Sequence, residues 1–438
     1  MTAEARPRRI AYLSYSSVLF DARTFRMARW AMDNGYEVTV YGRWEPGLPL
    51  VEDRDGYRVI RAPWTWKALL PGRSRAIEPA QPARGFGASD AREQSTRAPR
   101  GLLRTVLAPT RGLRRWVHLI GKYPVRPLAW ARAVAAVAEP ADIWHGMWAG
   151  SLPAMDRLRR RHGGRTVYDS RDVYMESRNL ATAPRALRSL LSWLERRWAR
   201  RMDRVITVNR PYARLLANRF GIDEPAIVLN CPDAWTPPVP PPDQIRNALG
   251  LDRGTAIVLY QGQFISDRGI EQAMDAILEV PGAVLVLLGY GELEERFRAR
   301  ASVAPYAGRV HLLPAVAPGE LVSWTSSADI TVMPIQPTTL NHRFTTPQKL
   351  FESIAAGVPV VASDLPGMAD VVNEVGAGVL CDPTSPASIA AAIRQLLDAD
   401  PAERAAMRAR ILAVAHDRYN WDAQVGVLRS VYEGLAQP

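Results

Sequence analysis

From Asn341 to Ser363 the chain reads NHRFTTPQKLFESIAAGVPVVAS. Lys349 and Glu352 are three residues apart, so on a helix they share one face. Leu350, Phe351 and Ile354 make the opposite, apolar stripe. A lysine in the first turn of a helix adds its charge to the positive end of the helix dipole, which suits a diphosphate. A carboxylate one turn later suits the paired hydroxyls of a ribose. Thr346 is expected to cap this helix and Pro347 to occupy its first turn. Gly357 stops it, and Pro359 opens a buried strand. The plainer alternative is a solvated Lys–Glu pair on an ordinary surface helix.

A second segment, Tyr260 to Ile270, reads YQGQFISDRGI. Gly262 lets the backbone approach a ligand closely, and Arg268, before Gly269, offers a forked grip for an anion. Gly289-Tyr290-Gly291 makes another tight turn at a strand end. In the first half of the chain, His145 follows Asp142-Ile143-Trp144 and precedes Trp148. It reads either as a group at a strand end or as a satisfied core histidine. Neither His118, His162 nor His311 has spacing that suggests a metal.

The elements that must carry these residues alternate. Ile10–Leu13, Glu37–Tyr41, Ile143–Trp144, Thr166–Tyr168 and Val205–Val208 read as short apolar strands separated by helical stretches. A helix from about Thr24 to Asn34 stops at Gly35. Five prolines and one valine from Pro237 to Pro242 read as a semi-rigid linker. After them the alternation resumes, with strands at Ala256–Tyr260, Ala283–Leu288, Val310–Leu313, Ile330–Met333 and Pro359–Ser363. Such alternation predicts an α/β fold with a doubly wound parallel sheet in each half. The expected domains are 1–236 and 237–417, with a closing helix at 418–438 that packs back toward the first. A basic insertion at about 71–126 interrupts the first domain. Its beginning is rich in Pro, Gly, Ser and Arg and reads as a mobile loop. From Gly101 to Arg126 apolar residues recur at helical spacing around Arg104, Arg111, Arg114, Arg115 and Lys122. That stretch reads either as a helix lying in a membrane interface or as a helix packed on the sheet with its cations in water.

The totals narrow the class. In 438 residues, 47% are hydrophobic, enough for large cores. Lys and Arg number 56 against 44 Asp and Glu, and the resulting charge of +12 favours anionic partners. Nucleic acid is one such partner, but no recognised binding module is present. Two cysteines, Cys231 and Cys381, make no disulfide framework or metal spacing. No stretch approaches the roughly 20 apolar residues that span a bilayer. The reading is therefore a soluble, cytoplasmic protein, with peripheral contact at the inner face of a membrane if the basic stretch is interfacial.

Taken together, Gly262 with Arg268-Gly269, the Gly289-x-Gly291 turn and the Pro347–Ser363 block resemble the C-terminal domain of glycosyltransferase family 4. The passage Val205–Asp233, Asp169 in Tyr168-Asp169-Ser170, and His145 resemble the family's N-terminal half more loosely. The resemblance implies a GT-B architecture: two Rossmann-like domains facing each other across a cleft. It implies transfer of a sugar from a nucleotide-sugar, UDP- or GDP-linked, to an acceptor hydroxyl with retention of configuration. Arg268 and Lys349 would bind and stabilise the departing diphosphate, Glu352 the ribose, and Gly262 and Gly289 would give backbone access. His145 would contact the sugar. No metal is expected, because fixed cations supply the charge, and no other cofactor is implied.

The chain departs from the family pattern in three places. Phe344 stands where a second Glu, eight residues before Glu352, is usual, so Asn341, His342, Thr345 or Thr346 would take over the sugar contacts. Arg171 and Asp172 stand in place of a His-Glu pair. The first loop, Ser14 to Arg23, lacks a Gly-Gly pair and carries Asp21 and Arg23 instead. The acceptor is expected to be lipid-linked or anionic. Two further readings are a non-catalytic sugar-nucleotide-binding subunit, suggested by Phe344, and a nucleotide-sugar epimerase, which would need a carboxylate pair for acid/base work.

Overall fold

The computed structural model describes residues 8–19, 21–63, 119–176, 178–181, 183–239 and 242–435. The chain divides into two compact units: Met1–Ile206 with Arg219–Ile222, and Thr207–Asn218 with Asp223–Pro438. The chain forms two mostly parallel sheets, one of eight strands and one of six, with helices between most successive strands.

The first sheet contains β1 (Arg9–Ser14), β2 (Glu37–Arg43), β3 (Val51–Arg54), β4 (Tyr57–Ala62), β5 (Ile143–Met147), β6 (Arg165–Ser170), β7 (Arg204–Thr207) and β8 (Ala226–Ile227). Their order is β3-β4-β2-β1-β5-β6-β7-β8. From β1 the chain winds outward through β2 to β4, then returns to β5 and winds the other way. The winding therefore reverses between β1 and β5. Residues of both strands are buried, as expected for a parallel sheet covered on both faces. The β3–β4 hairpin was not legible as a pair of strands. Its turn residues Asp55 and Gly56 both take positive φ, 47° and 91°, which is the geometry that Asp-Gly favours in a tight hairpin. Val51 is exposed and β3 is short, so this edge has little apolar periodicity to read.

The second sheet contains β9 (Ala256–Gln263), β10 (Ala283–Tyr290), β11 (Val310–Pro314), β12 (Ile330–Met333), β13 (Val360–Ser363) and β14 (Gly378–Cys381). Their order is β11-β10-β9-β12-β13-β14, and here the winding reverses between β9 and β12. Side chains alternate between the two faces of a strand. Val258, Tyr260, Leu285 and Leu287 pack under helices Ile270–Ile277 and Pro386–Leu397. Ile257, Leu259, Val284, Val286 and Leu288 pack on the other face with helix Gln244–Leu249. β14 was missed in the sequence because Gly378-Val379-Leu380-Cys381 is short and follows a helix stop at Gly376.

Helix boundaries shift by a residue or two. The first helix runs Ala22–Asp33, capped by Asp21, whose side chain accepts the Thr24 N–H. The helix expected from Pro347 begins at Gln348, with Pro347 itself as the cap residue and no side-chain capping bond. Thr346 does not cap it. The stretch with helical spacing from Leu103 to Val117 lies outside the described residues. Beyond it Leu119 is buried, Ile120 is exposed, and a π-helical turn at Gly121–Val125 leads into helix Arg126–Val137. The closing helix is Trp421–Glu433, where the Trp421 N–H donates to the Pro232 carbonyl and Gln424 accepts the Leu229 N–H. No helix among the described residues is long and apolar enough to cross a membrane.

Candidate functional site

In open α/β sheets, ligands bind outside the carboxyl ends of the strands, where the winding reverses. In the second unit that point lies between β9 and β12. Gly262 sits near the end of β9 at φ 120°, a backbone state that side chains resist. Gly289 lies opposite it in the register of β9 with β10. A Cβ on Gly289 would fall 1.9 Å from the Gly262 carbonyl oxygen, so the two strand ends close only without a side chain there. A Cβ on Gly262 would meet the Lys349 ammonium at 3.4 Å. The lysine from the helix after β12 is thus brought against the bare backbone at the end of β9.

The state of this lysine is the most informative feature of the unit. The Lys349 Nζ is buried and has no hydrogen-bond partner among the described residues. It lies 3.9 Å from the centre of the Tyr260 ring, a cation–π contact. Burial, and then the neighbouring Arg268 cation, pull its pKa down to about 7 against the opposing pull of Glu352. Arg268 is half-buried, in the turn before helix Ile270–Ile277. The preceding Asp267 holds φ at 67°, an unusual state for a residue with a side chain.

Glu352 is 6% exposed, so the solvated Lys–Glu pair is excluded. One carboxylate oxygen accepts from Gln261 Nε2 and the other from Gln348 Nε2, both at 2.8 Å. The Gln261 amide oxygen in turn accepts from the Thr325 hydroxyl. These two bonds hold the Glu352 carboxylate in place. Gln261, Gln348 and Thr325 had no motif to announce them. Their role follows from β9, helix Leu321–Thr325 and helix Gln348–Ala355 converging in space.

Asn341 and Thr346 are held by a different set of partners. Asn209 donates its amide to the Thr346 hydroxyl at 2.9 Å and to the Phe344 carbonyl at 2.7 Å. The Thr346 hydroxyl donates to the Gly367 carbonyl at 3.1 Å. Tyr212 donates to the Asn341 carbonyl at 3.0 Å, and its ring meets Phe344 edge-on at 6.4 Å. Asn341 and Thr346 therefore fix the loop between β12 and the Lys349 helix.

The first unit carries a cluster at its own reversal point. Asp169, at the end of β6, is fully buried and accepts from Arg23 Nε at 3.0 Å and Arg171 Nε at 3.1 Å. Arg171 also donates to Asp21 at 2.7 Å and to the Thr24 hydroxyl at 3.2 Å, and its guanidinium lies 4.8 Å from the Trp148 ring. Burial pushes the Asp169 carboxyl up, but Arg23 and Arg171 pull harder and hold it far below the usual carboxylate range. His145, on β5 beside Tyr12, is fully buried, with its Nε2 3.9 Å from Asp169, beyond hydrogen-bond range. Burial, with the cations of Arg171 and Arg23, lowers its pKa despite Asp169, which favours the neutral imidazole. Trp148 adopts φ 59° where β5 turns away. Asp21, Arg23, Asp169 and Arg171 stood out singly in the sequence; their mutual pairing did not.

Residues 21–232 match the family described as "Glycosyl transferase 4-like domain", and residues 242–411 match "Glycosyl transferases group 1". A D-inositol 3-phosphate glycosyltransferase of Acidothermus cellulolyticus is 31% identical over 254 residues, 54% of each chain. The chain thus spans about half the length of that relative. Sucrose-phosphate synthase from Thermosynechococcus elongatus superposes with a TM-score of 0.67 at 18% identity, covering 98% of this chain and 99% of that one. An Anabaena protein solved in complex with UDP and glucose gives 0.63 at 15% identity, with 98% and 99% covered. At such identities the solved structures establish the fold, while the two adjoining profile matches establish the kinship. With two Rossmann-like units and these matches along most of its length, the chain belongs to glycosyltransferase family 4, the group 1 glycosyl transferases of GT-B fold.

Proposed function

We propose that this glycosyltransferase uses a nucleotide-sugar donor, UDP- or GDP-linked, and transfers the sugar to an acceptor hydroxyl with retention of configuration. The observation that carries the reading is the buried Lys349 ammonium. It has no hydrogen-bond partner among the described residues and sits against the bare backbone of Gly262, beside Arg268. A diphosphate there would receive two fixed cations and an exposed backbone turn. Glu352, steadied by Gln261 and Gln348, would take the ribose hydroxyls. The leaving diphosphate gains negative charge as the glycosidic bond breaks, and preorganised cations stabilise that charge most effectively in a dry site. Under this reading the chemical step needs no added metal.

The family resemblance assigns His145 a contact with the sugar, and its burial favours the neutral imidazole as a hydrogen-bonding group. Asp169, the carboxylate 3.9 Å from its Nε2, is held by Arg23 and Arg171, and Asp21 is held by Arg171. A carboxylate so neutralised is a poor nucleophile, which favours same-face displacement over a covalent glycosyl-enzyme. The resemblance to a protein solved with UDP and glucose supports the choice of donor class.

Calorimetric titration with UDP and GDP tests the donor site. Binding of at least one is expected, weakened about ten- to a hundredfold in Glu352→Ala, which loses a charged hydrogen bond. Arg268→Ala and Lys349→Ala should lower turnover more than they raise the donor KM. No binding of either nucleotide, or normal turnover in both cation variants, refutes the assignment. A non-catalytic binding role has one observation in its favour: Phe344, where the family has a carboxylate, packs on Tyr212. Nucleotide binding with no release of sugar to any acceptor would select it.

A further inference from the structure

Glu195 plays no part in the reading above, yet its surroundings call for an explanation. It lies on helix Arg185–Ala199 and is 4% exposed. One carboxylate oxygen accepts from the Tyr168 hydroxyl at 3.2 Å. The other, Oε2, is buried with no hydrogen-bond partner among the described residues. An unsatisfied buried carboxylate oxygen is costly, and native folds seldom keep one without a use.

This side chain lines a cavity of about 30 Å³. Tyr123, Tyr174 and Trp198 supply aromatic walls, and Pro127 and Leu191 are also part of the lining. The rings of Tyr123 and Tyr174 meet edge to face at 5.9 Å. Gly150, which follows β5, and Tyr174, which follows β6, also line it. The cavity therefore belongs to the carboxyl end of the first sheet, the end that carries Asp169.

A carboxylate among aromatic rings is complementary to one kind of group. Ring faces attract cations, and the free oxygen accepts a charged donor. The space is of the order of a small ammonium group. We propose that this cavity is an acceptor subsite that receives the primary ammonium group of an amine-bearing acceptor. Only the word acceptor rests on the transferase reading; recognition of an ammonium group stands on the cavity. The lipid-linked or anionic acceptor expected from residues 101–126 concerns other residues.

The titratable and charged groups around Glu195 are Tyr168 on β6, Tyr174 and Tyr123 in the walls, and Arg219 on helix Arg210–Phe220. Arg219 itself donates to the Ser192 hydroxyl at 2.7 Å. Burial pushes the Glu195 carboxyl up to about 7, against the pull of Arg219 and the Tyr168 hydrogen bond. Bound ammonium would favour the ionised form, so affinity should rise with pH through this range.

Calorimetric titration of the full chain with methylammonium and with methanol, at pH 8 and without nucleotide, tests the proposal. Saturable binding of methylammonium alone is expected, weakening below about pH 7 as Glu195 takes up a proton. Glu195→Gln keeps an acceptor for Tyr168 and removes the charge, and should lose at least about tenfold in affinity. Tyr174→Leu, which leaves the carboxylate in place, should also bind more weakly. Absence of methylammonium binding, equal binding of methanol, or unchanged affinity in both variants would overturn the proposal and leave a water pocket. Success here with failure of the UDP and GDP titrations would keep the subsite and reject the donor assignment.

Discussion

Asp169 and Lys349 are both charges removed from water, but the fold treats them oppositely. Asp169 is surrounded by its counter-ions, Arg23 and Arg171. Its pKa is depressed in the fold, so its contribution is present above the unfolded carboxylate value of about 4 and is lost as pH falls below it. Asp169→Asn leaves two buried guanidinium groups undercompensated and should cost about 3–5 kcal/mol, read by urea unfolding at pH 7. An effect below about 1 kcal/mol would mean that the arginines find other partners. Lys349 has no hydrogen-bonded counter-ion among the described residues, and its depressed pKa gives the reverse sign. Between about pH 7 and 10 the unfolded chain binds more protons at this residue than the fold does, so the ligand-free protein should gain stability as pH rises. Lys349→Met removes the desolvated cation and should stabilise the ligand-free fold by on the order of 1–3 kcal/mol while lowering turnover. A destabilised Lys349→Met variant would show that the ammonium is already compensated. The sequence pointed to Lys349 through its place in a motif. The network around Asp169 was hidden, because its members lie 146 and 150 residues apart.

At the scale of elements, the candidate donor site depends on how closely β9 and β10 end. Gly289 faces Gly262 in register, and the carbonyl of one occupies the place of a side chain on the other. Gly289→Ala therefore cannot be absorbed by a rotamer change and must push the strand ends apart. A loss of about 2–4 kcal/mol is expected in thermal or urea unfolding, along with weaker nucleotide binding. A variant with wild-type stability and affinity would show that the strand ends part freely. The helix Gln348–Ala355 was placed from its pattern to within a residue, because its apolar stripe and Gly357 stop are local signals. The β3–β4 hairpin and β14 were not, because short strands at a sheet edge hold too few alternating residues to stand out.

Across the molecule, each of the two sheets has a point where the winding reverses, and a charged cluster at that point. Units with separate cores unfold as separate cooperative blocks when their stabilities differ. Scanning calorimetry should therefore resolve two transitions once one unit is weakened. Asp169→Asn should lower one transition, Gly289→Ala the other, and the bound nucleoside diphosphate should raise only the one that Gly289→Ala lowers. A single transition displaced equally by both substitutions would mean that the two units unfold together.

The alternation of strands and helices, the glycine turns and the Lys349–Glu352 helix are written in neighbouring residues, so the sequence by itself determined the α/β class and the family, and it singled out the residues proposed for the donor side. Those features depend on periodicity, propensity and short motifs, which are properties of a local segment. What Thr346 would do was not decided there: its hydroxyl had a capping role by sequence, but Asn209 and Gly367 claim it in the fold. Nor was the neutralisation of Asp169, or the unpartnered oxygen of Glu195 behind its aromatic walls. These are decided by which side chains meet after distant strands pair, and by how much water is excluded when they do. Burial then sets the cost of every unpaired charge, so only the tertiary structure distinguishes a lysine in solvent from one buried without a hydrogen-bond partner among the described residues.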